Sequence, residues 1–395
     1  MKIRVSKNEL IKGIGIVQKA VSSRPSMPIL KGILLVANDQ MLTLTANDLK
    51  IGIETTLECE IDSPGSIVVD SKLFGDVIRH IRDEYVSIEV NDFAVSIQNR
   101  DLDISLKGYS DQEFPDLPLL ASNDSIGIKE EVFLDMLNQT LFAVADNEYN
   151  QIINGVLFQL DSDELTLAAS DGYRFALRKQ KVENMASMSK RYVVPGSTLK
   201  EIRKLLGHDL ERYIRVSVDE QHIVFKMDNT RVISRLLEGE YIKYESIIPT
   251  TFFTKVSVDT EGLLDALGIN SVLAEKVNSS VILSVHKDYI EIRSRSEVGK
   301  ISKRVPARVE GDPLTIGFNI RYLTDGIKAN NESTTRISFV KGSKSPGVIT
   351  SRNQYQYLLS PVLVSEIESE SWCKKTTWLV QVSCSFNVLI TGFTE

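Results

Sequence analysis

The sequence predicts an α+β protein made of three similar domains in tandem, each with two helices packed on antiparallel strands. The main observation is a repeated stretch, which reads LTLTAND at residues 42–48, LTLAASD at 165–171 and, more weakly, IEIRSRS at 290–296. The segments on either side of it repeat in the same order. A repeat this long indicates whole domains rather than a solenoid of small units, and 395 residues is enough chain for two to four domains.

Each unit opens with a strand that leads into an amphipathic helix. Its apolar residues recur at the three- and four-residue spacing that places side chains on one face of a helix. These residues are Leu10, Ile14, Val17 and Val21 in the first unit, Phe133, Leu137 and Val144 in the second, and Leu263 and Leu267 in the third. Asp259 or Thr260 is the expected N-cap of the third of these helices, because either side chain can accept a hydrogen bond from the first turn.

Paired strands and a second helix follow in each unit. Alternating apolar residues around short turns with Asn or Asp predict hairpins that join 33–36 with 42–44, 156–160 with 165–169, and 281–285 with 289–293. The second helix is marked by Phe74, Val77, Ile78 and Ile81, by Leu199, Ile202 and Leu206, and by Tyr322, Leu323 and Ile327. Proline and polar residues near positions 120 and 250 place the connections between units there.

The composition excludes several classes of protein. No apolar run reaches the roughly 18 residues of a membrane helix, and the opening MKIRVSKNEL lacks the apolar stretch of a signal peptide. We therefore expect a cytoplasmic protein that does not bind membranes. The three cysteines form no CxxC pair and the four histidines are scattered, so neither a disulfide framework nor a zinc site is expected. No cofactor is predicted.

The charge distribution leaves two interpretations open. A net charge of -7 argues against a protein that grips nucleic acid tightly. The predicted helices nevertheless carry cationic residues, whereas acidic residues concentrate in turns. The cations include Lys12, Lys19, Lys72, Arg79, Lys200 and Arg203. Such helices are either ordinary solvated faces or a positive inner surface for phosphates.

Five short motifs resemble the bacterial β sliding clamp family, the processivity subunit of DNA polymerase III. They are RPSMPIL at 24–30, NGVLF at 154–158, AASDGYRFA at 168–176, IGFN at 316–319 and YLLSPV at 357–362. Each motif is short, but five in the right order over a triplicated chain make the resemblance specific. It covers residues 1 to about 364, and it implies clamp domains at 1–120, 125–248 and 250–364, followed by an atypical tail at 365–395.

The resemblance implies a head-to-tail homodimeric ring of six like domains, with helices lining a central hole for duplex DNA. A ring is retained on DNA by topology, so weak, non-specific phosphate contacts suffice and an acidic protein can slide. The implied partners are duplex DNA, a second copy of the chain, the replicative DNA polymerase subunit, the clamp loader and other proteins that carry the clamp motif. The implied location is the cytoplasm, at the nucleoid.

The resemblance also implies a hydrophobic cleft between the second and third domains, which binds a peptide motif that typically begins with Gln and ends in Leu-Phe. An apolar slot with few polar anchors suits such a peptide. Arg174 and the Ser170 hydroxyl are expected to hold the peptide backbone, and Gly172 to permit a turn. The residues at matching positions are Ile153, Ser170, Gly172, Tyr173, Arg174, Phe175, Ile242, Ile247, Asn319, Tyr322, Ser360, Pro361 and Val362. Taken without the resemblance, Ile153, Phe175 and Ile247 are equally typical of a core.

DNA contacts and a ring interface are implied in the same way. Arg24 lies in a predicted exposed loop, from which a guanidinium can reach a phosphate. The further DNA-binding candidates are Lys12, Lys19, Arg79, Lys200 and Arg203. The interface is expected to place an edge strand of the first domain against a helix of the third, which leaves no strand edge exposed. Its residues are Ile104, Leu106 and nearby Lys72 on one side, and Val272 and Glu275 on the other.

The chain departs from the family pattern in three places. Residues 147–153, NEYNQII, lack the arginine that many relatives carry there. Ile242 and Ser246 stand where relatives often have Pro and Arg, which makes one side of the cleft more apolar. Family chains typically stop soon after the Pro-Val pair, whereas 31 residues follow Val364 here. This tail is either an extension from a shifted reading frame or a segment that folds over the cleft and competes with partners.

Two other functions remain as alternatives. An enzyme would need a catalytic set such as Ser170, Asp171, Tyr173 and His222, but the sequence has no GxSxG, P-loop or HExxH motif. Asp171 matches Asp48 of the first unit, so both are predicted to be turn formers that bond their own backbone. The other alternative is a protein-binding scaffold that is not retained on DNA.

Overall fold

The computed structural model describes residues 1–362 except 23, 100–101, 119, 121–124, 148, 185–189, 208, 210, 275–278 and 343–344. The tail at 365–395, with both hypotheses attached to it, lies outside the described residues, as does Glu275. The chain folds as two compact units. Unit 1 comprises the described residues of Met1–Leu134, Val182–Ser187 and Ser197–Leu236, and unit 2 comprises those of Asp135–Lys181, Met188–Gly196 and Leu237–Glu395. Among the described helices, none has the length and apolar character required to span a membrane.

Three copies of one series of elements follow each other along the chain. The first copy contains β1 (Lys2–Ser6), α1 (Lys7–Val17), β2 (Gly32–Asn38), β3 (Met41–Asn47), β4 (Ile51–Glu58), β5 (Glu60–Ser63), β6 (Gly65–Asp70), α2 (Ser71–His80), β7 (Tyr85–Asn91), β8 (Ala94–Asn99) and β9 (Leu102–Tyr109). The second contains β10 (Ser125–Lys129), α3 (Glu130–Thr140), β11 (Gly155–Asp161), β12 (Glu164–Ser170), β13 (Arg174–Lys181), β14 (Glu183–Asn184), β15 (Lys190–Pro195), α4 (Gly196–Leu205), β16 (Tyr213–Val218), β17 (His222–Met227) and β18 (Thr230–Arg235). The third contains β19 (Thr254–Asp259), α5 (Thr260–Ala274), β20 (Ser280–Val285), β21 (Tyr289–Ser296), β22 (Gly299–Gly311), β23 (Leu314–Asn319), α6 (Ile320–Ala329), β24 (Thr334–Phe339), β25 (Gly347–Thr350) and β26 (Tyr355–Leu359). The predicted helices and hairpins of all three units are confirmed.

Four residues that the spacing assigned to helices lie beyond the helix ends, namely Val21, Ile81, Val144 and Leu206. α1 and α3 are each followed by a 3₁₀ turn, and the residue after that turn is extended. Val21 has φ -91° and ψ 118°, and Val144 has φ -68° and ψ 136°. The prediction was wrong at these positions because apolar spacing continues past the point where the helical hydrogen bonds stop, so it does not locate a helix end.

Side-chain caps fix the starts of α5 and α6. Asp259 Oδ2 accepts a hydrogen bond from the N–H of Gly262 at 2.7 Å, so Asp259, rather than Thr260, caps α5. The hydroxyl of Thr260 instead donates to the main-chain oxygen of Glu332 at 2.7 Å. Asn319 caps α6 in the same way as Asp259, by accepting bonds from the N–H groups of the first turn.

Unit 1 is built on a 14-stranded sheet in the order β14-β10-β16-β17-β18-β4-β3-β2-β6-β9-β8-β7-β1-β5. The first and second copies join where β18 pairs antiparallel with β4, with Thr230 opposite Thr55 and Ser234 opposite Ile51. The hydroxyls of Thr55 and Thr230 are buried and lie 2.9 Å apart. The two copies are therefore joined by a main-chain ladder and by a buried hydrogen bond between side chains.

Unit 2 is built on a 12-stranded sheet in the order β15-β11-β12-β13-β26-β25-β24-β19-β22-β21-β20-β23. The second and third copies join where β13 pairs antiparallel with β26, with Arg174 opposite Leu359 and Arg178 opposite Tyr355. The strands of the second copy are thus divided between the two sheets. The sequence predicts the three copies but not this division, because alternation defines the faces of a strand and not its neighbours.

α6 packs directly on β26 through a glycine. A Cβ atom at Gly326 would lie 2.3 Å from two ring atoms of Tyr357, so only glycine fits there. The Tyr357 hydroxyl donates to the main-chain oxygen of Tyr322 at 2.8 Å, and the Tyr355 hydroxyl donates to that of Gly326 at 3.3 Å. Burial raises the pKa of both phenols well above the ordinary value, so they remain donors at any physiological pH.

Gly326→Ala is expected to destabilise the chain by about 1–3 kcal/mol, because α6 must move away from β26 to admit the methyl group. Urea unfolding measures the change in the free energy of unfolding. The matched control is Gly15→Ala in α1, where an added Cβ meets nothing within 4 Å. This control is expected to stabilise by about 0.5–1 kcal/mol through helix propensity. Equal effects of the two substitutions would contradict the close packing at Gly326.

Candidate peptide-binding cleft

The turn between β12 and β13 is organised by an aspartate. Asp171 Oδ1 accepts hydrogen bonds from the N–H groups of Tyr173 at 3.0 Å and Arg174 at 3.1 Å. Gly172 has φ 89°, a conformation that favours glycine. Asp48 makes the matching bonds in the first copy, to the N–H groups two and three residues ahead. The prediction that both aspartates are turn formers is confirmed.

The guanidinium of Arg174 is buried at the base of this turn, with 9% of its side chain exposed. Its Nε donates to Asp171 Oδ2 at 2.9 Å and its Nη1 to Asp325 Oδ2 at 2.7 Å. Its Nη2 donates to the main-chain oxygen of Phe142 at 2.6 Å. The plane also lies over the ring of Tyr322, 4.2 Å from the centroid, and 5.3 Å from that of Phe142.

Two opposing influences act on the charge of Arg174. Burial favours the neutral guanidine and lowers its pKa, but Tyr357 and the carboxylates of Asp325 and Asp171 raise it, and the net effect is a pKa above the ordinary value. The group is therefore a permanent cation. Two carboxylates and a carbonyl compensate the cost of its burial.

Ser170 is also committed to the turn. Its hydroxyl is buried, donates to the main-chain oxygen of Arg174 at 2.8 Å and accepts from the N–H of Gly172 at 3.2 Å. In the free chain the Ser170 hydroxyl and Arg174 therefore bond groups of the chain itself, and their contact with a peptide backbone stays a prediction. The same bonds argue against the enzyme alternative, since the hydroxyl donates to a carbonyl rather than to a base. His222 of that imagined set lies on β17 in unit 1.

An apolar cluster lies on the other face of β13. Phe175 is fully buried and its ring lies 5.7 Å from that of Tyr244. Ile242 and Ile247 are partly buried against this cluster. The residues of the cluster are Leu157, Ala168, Phe175, Leu177, Val193, Tyr241, Tyr244, Val348 and Leu358. Phe175 is thus a core residue beneath the more accessible isoleucines.

Ile153 and its neighbour have different positions. Ile153 is buried, with 6% of its surface exposed. Ile152, which sequence reasoning did not select, is partly buried and packs against the apolar cluster. Leu237, Ile248 and Phe252 pack against the cluster in the same way. The rim of the apolar surface is therefore wider than the motif matches indicate.

The second and third copies together form an aromatic wall. Tyr173 of the second copy is 41% exposed, and its ring stacks with that of Tyr322 of the third, with centroids 6.5 Å apart. The N–H of Ser360 donates to the main-chain oxygen of Tyr173 at 3.0 Å, which holds residues 360–362 beside the turn. Pro361 is buried, and the N–H of Val362 donates to the main-chain oxygen of Gly317 at 2.9 Å. Asn319 serves as the cap of α6, and it holds the start of the helix that carries Tyr322.

The sequence reasoning missed the groups that support these walls. Asp325 and the carbonyl of Phe142 bind Arg174, and Tyr241 and Tyr244 lie under the isoleucines. Asp325 has a sequence signal, because it lies three residues after Tyr322 on the same helix and so projects from the same face. The carbonyl of Phe142 has none, since main-chain acceptors are not encoded by residue type.

The cationic candidates lie in unit 1. Arg24 is exposed, as expected for a loop residue. Lys12 and Arg79 are exposed but each pairs with a carboxylate three residues earlier, Lys12 with Glu9 at 2.7 Å and Arg79 with Asp76 at 2.6 Å. The ammonium of Lys19 donates to a main-chain oxygen of its own helix. Lys200 and Arg203 are exposed on α4.

The predicted interface residues lie on two separate units. Ile104 and Leu106 are half-buried on β9, where they face Ile97 and Val95 of β8, and Lys72 is exposed on α2. Val272 is 65% exposed on α5 in unit 2, a high value for an apolar side chain. Among the described residues, no cluster of three or more His, Cys, Asp and Glu side chains has the geometry to hold a metal ion.

Comparison with known proteins accounts for almost the whole described chain. Family models of the DNA polymerase III β subunit match in order, the N-terminal domain at residues 1–118, the central domain at 127–243 and the C-terminal domain at 245–362. The β sliding clamp of Bacillus subtilis (strain 168) is 33% identical over 366 residues, which is 89% of this chain and 96% of that protein. The β sliding clamp of Synechococcus elongatus is 33% identical over 374 residues, 92% of this chain and 99% of that protein.

Solved structures agree with these matches. The crystal structure of the DNA polymerase sliding clamp from Bacillus subtilis superposes with a TM-score of 0.89 at 33% identity, and covers 92% of this chain and 99% of that one. The β subunit of DNA polymerase III from Thermotoga maritima superposes with a TM-score of 0.85 at 26% identity, and covers 92% of this chain and 100% of that one. The three tandem clamp domains, the sequence relatives and the structural neighbours agree, and they show that the chain belongs to the β-subunit family of DNA polymerase III, the β sliding clamps.

Proposed function

We propose that the chain acts as a non-catalytic processivity factor, which encircles duplex DNA as a head-to-tail homodimer and tethers the replicative DNA polymerase through its peptide-binding cleft. The observation that carries this proposal is the way in which successive copies pair. β4 of the first copy pairs with β18 of the second, and β13 of the second pairs with β26 of the third. The fourth strand of one copy is thus joined to the last strand of the next.

This pairing of the fourth strand with the last strand of the next copy leaves two of the described strands without such a partner, β9 of the first copy and β22 of the third. In the part of the chain that the structure describes, residues 102–107 of β9 pair with β8 alone. Residues 299–306 of β22 likewise pair with β21 alone, since β19 takes the remainder of the strand. β9 occupies the place of β18 and β26, and β22 that of β4 and β13. Pairing β9 of one chain with β22 of another would use both edges and close a ring of two chains.

Exposed apolar residues beside these edges support the same interface. On α5, Ile269 is 44% exposed and Val272 65% exposed. α5 lies against β22, where Asp265 of the helix and Lys303 of the strand form an ion pair at 2.7 Å. The proposed interface also includes Ile104, Leu106 and Lys72, as the resemblance implies. It buries apolar surface and satisfies two strand edges at once.

The domain division and the remaining partners belong to the same proposal. Clamp domains at 1–120, 125–248 and 250–364 are supported by the residues that the three family models match. The clamp loader and other proteins with the clamp motif would share the cleft with the polymerase. The chain would act in the cytoplasm, at the nucleoid.

The wild-type chain, loaded onto a nicked circular plasmid by a clamp loader, is expected to remain bound through gel filtration and to be lost when the plasmid is linearised. A scaffold that does not encircle DNA would not be retained on the circle in the first place. Val272→Asp places a carboxylate in the proposed interface, so it is expected to shift the mass in solution from twice 44.2 kDa towards 44.2 kDa and to abolish retention.

The control for this interface variant is Tyr149→Asp, which adds the same charge at a residue that is 98% exposed. It should leave the mass and the retention unchanged. A wild-type chain that stays monomeric at micromolar concentration, or a Val272→Asp variant that dimerises as well as Tyr149→Asp, would contradict the ring.

The helices of unit 1 provide the proposed DNA surface, with Arg24, Lys12, Lys19, Arg79, Lys200 and Arg203 as its cations. Lys12 and Arg79 are each paired with a neighbouring carboxylate. Their net attraction for phosphate is therefore reduced, which suits a protein that must slide. Lys226 offers a contrast, because it is exposed on β17 next to Phe225, whose ring stacks on Phe133 of α3. Successive residues of a strand point to opposite faces, so Lys226 points away from the helix.

Lys200→Glu is therefore expected to weaken binding of the unloaded protein to a short duplex about three- to tenfold at low salt, and to flatten the dependence of affinity on salt. Lys226→Glu has the same change of charge and is expected to have a smaller effect. Fluorescence anisotropy at several salt concentrations measures both. Equal losses for the two variants would indicate a general effect of net charge and would argue against a DNA surface on the helices.

The cleft is proposed to bind its peptide between the isoleucines that cover Phe175 and the aromatic wall formed by Tyr173 and Tyr322. Tyr173→Ala is expected to weaken binding of a labelled peptide that begins with Gln and ends in Leu-Phe by about tenfold, as for a central aromatic contact. The control is Tyr213→Ala, since Tyr213 is exposed to a similar extent, 45% against 41%, and lies on β16 in unit 1. If Tyr213→Ala weakens binding as much as Tyr173→Ala, the peptide does not use this cleft.

A further inference from the structure

We infer that Asp325 on α6 is a positioning residue of the cleft, which acts through Arg174 and without touching the peptide. The inference rests on the proposed function of the cleft. Its starting point is that the Arg174 side chain is 9% exposed and lies over the rings of Tyr322 and Phe142. Its partners are Asp171, Asp325 and the carbonyl of Phe142. Little of this guanidinium is therefore exposed to a peptide in the cleft.

Asp325 connects two segments that are far apart in the sequence, the turn after β12 and α6. Arg174 and Asp325 are separated by 151 positions, and their bond of 2.7 Å joins the turn after β12 to α6. Tyr173 of that turn and Tyr322 of that helix form the aromatic wall of the cleft. Asp325 lies one helical turn after Tyr322, so its bond to Arg174 fixes the rotation of the helix as well as its distance from the turn. Asp325 therefore adds a side-chain constraint on the separation of the two tyrosine rings to the packing of α6 on β26.

The bond is also the most replaceable part of the arrangement. Asp171 is held by its own bonds to the main chain of Tyr173 and Arg174, and the Phe142 oxygen is part of the main chain. The Asp325 side chain is 32% exposed and has Arg174 as its ion-pair partner. Removing the charge of Asp325 therefore weakens the tie between α6 and the turn, while it leaves the turn and the packing of α6 on β26 intact. The rings of Tyr173 and Tyr322 are unchanged by this substitution, but the distance between them is less firmly held.

Asp325→Asn is expected to weaken binding of the Gln-to-Leu-Phe peptide about tenfold, mainly through faster dissociation, because one charge-assisted bond that orders the wall is lost. Glu332→Gln is the matched control. It removes a carboxylate charge in the same unit, one that pairs with Arg336 at 2.6 Å and contacts no cleft residue among its ion-pair and hydrogen-bond partners. It is expected to change affinity by less than about twofold. Asp325→Glu, which keeps the carboxylate, is expected to recover part of the lost affinity.

A double-mutant cycle distinguishes positioning from general destabilisation. If Asp325 acts through Arg174, then Asp325→Asn changes affinity by less than about twofold when Arg174 is already Met, which has no charge to pair with Asp325. Amide hydrogen exchange of the free protein provides a second readout, since residues 171–174 and 320–325 should exchange faster in Asp325→Asn but not in Glu332→Gln. This readout needs no peptide and remains informative if the affinity of a variant is too low to measure.

Wild-type affinity in Asp325→Asn, or an equal loss in both Arg174 backgrounds, would overturn the inference and leave the cleft in place. Loss of affinity in Glu332→Gln equal to that in Asp325→Asn would also overturn it. A wild-type chain that does not bind the peptide at all would instead refute the proposed cleft. The two failures are therefore distinguishable.

Discussion

Antiparallel main-chain pairing between one copy and the next is the interaction on which the other features of the chain depend. The β18–β4 and β26–β13 ladders convert three similar modules into two long sheets, so the second copy shares its strands with both of its neighbours. Backbone N–H and C=O groups must be paired when they are buried. A strand edge that one copy presents is thus filled by the next, and the order of the copies fixes which edges remain. Both the cleft and the proposed interface follow from this arrangement, because each lies at a join or at an end of the series.

Much of this fold could be predicted because its signals are local. Leu10, Ile14 and Val17 mark a helix face, and the alternation around residues 38–39 marks a hairpin. Helix ends were harder to predict from the sequence, as Val21 and Val144 illustrate, because a 3₁₀ turn preserves the apolar spacing while it ends the helix. The partner of β13 could not be predicted at all. β26 lies far along the chain, and nothing in an alternating pattern specifies which edge it will meet.

In the cleft, too, the sequence predicted which residues are present better than it predicted their partners. Matching short motifs located the turn at Ser170 and Arg174 and the helix that carries Tyr322, since these positions are fixed along the chain. The bonds of Ser170 and Arg174 within the chain could not be predicted, because their partners include main-chain carbonyls and a residue distant in sequence. A buried arginine has to be compensated by nearby acceptors, and only the folded structure identifies them. Asp325 illustrates a functional residue whose type is ordinary and whose importance comes from what it holds in place.

One strand distinguishes the third copy from the other two. In the first and second copies the corresponding strand is interrupted, at Cys59 and at Val182, before a short segment pairs with the opening strand of the copy. In the third copy β22 runs unbroken for 13 residues and pairs with β21 along one part and β19 along the other. A shift of β22 by one residue would therefore change its register with β21 and with β19 at the same time. In the first two copies the interruption separates the two pairings.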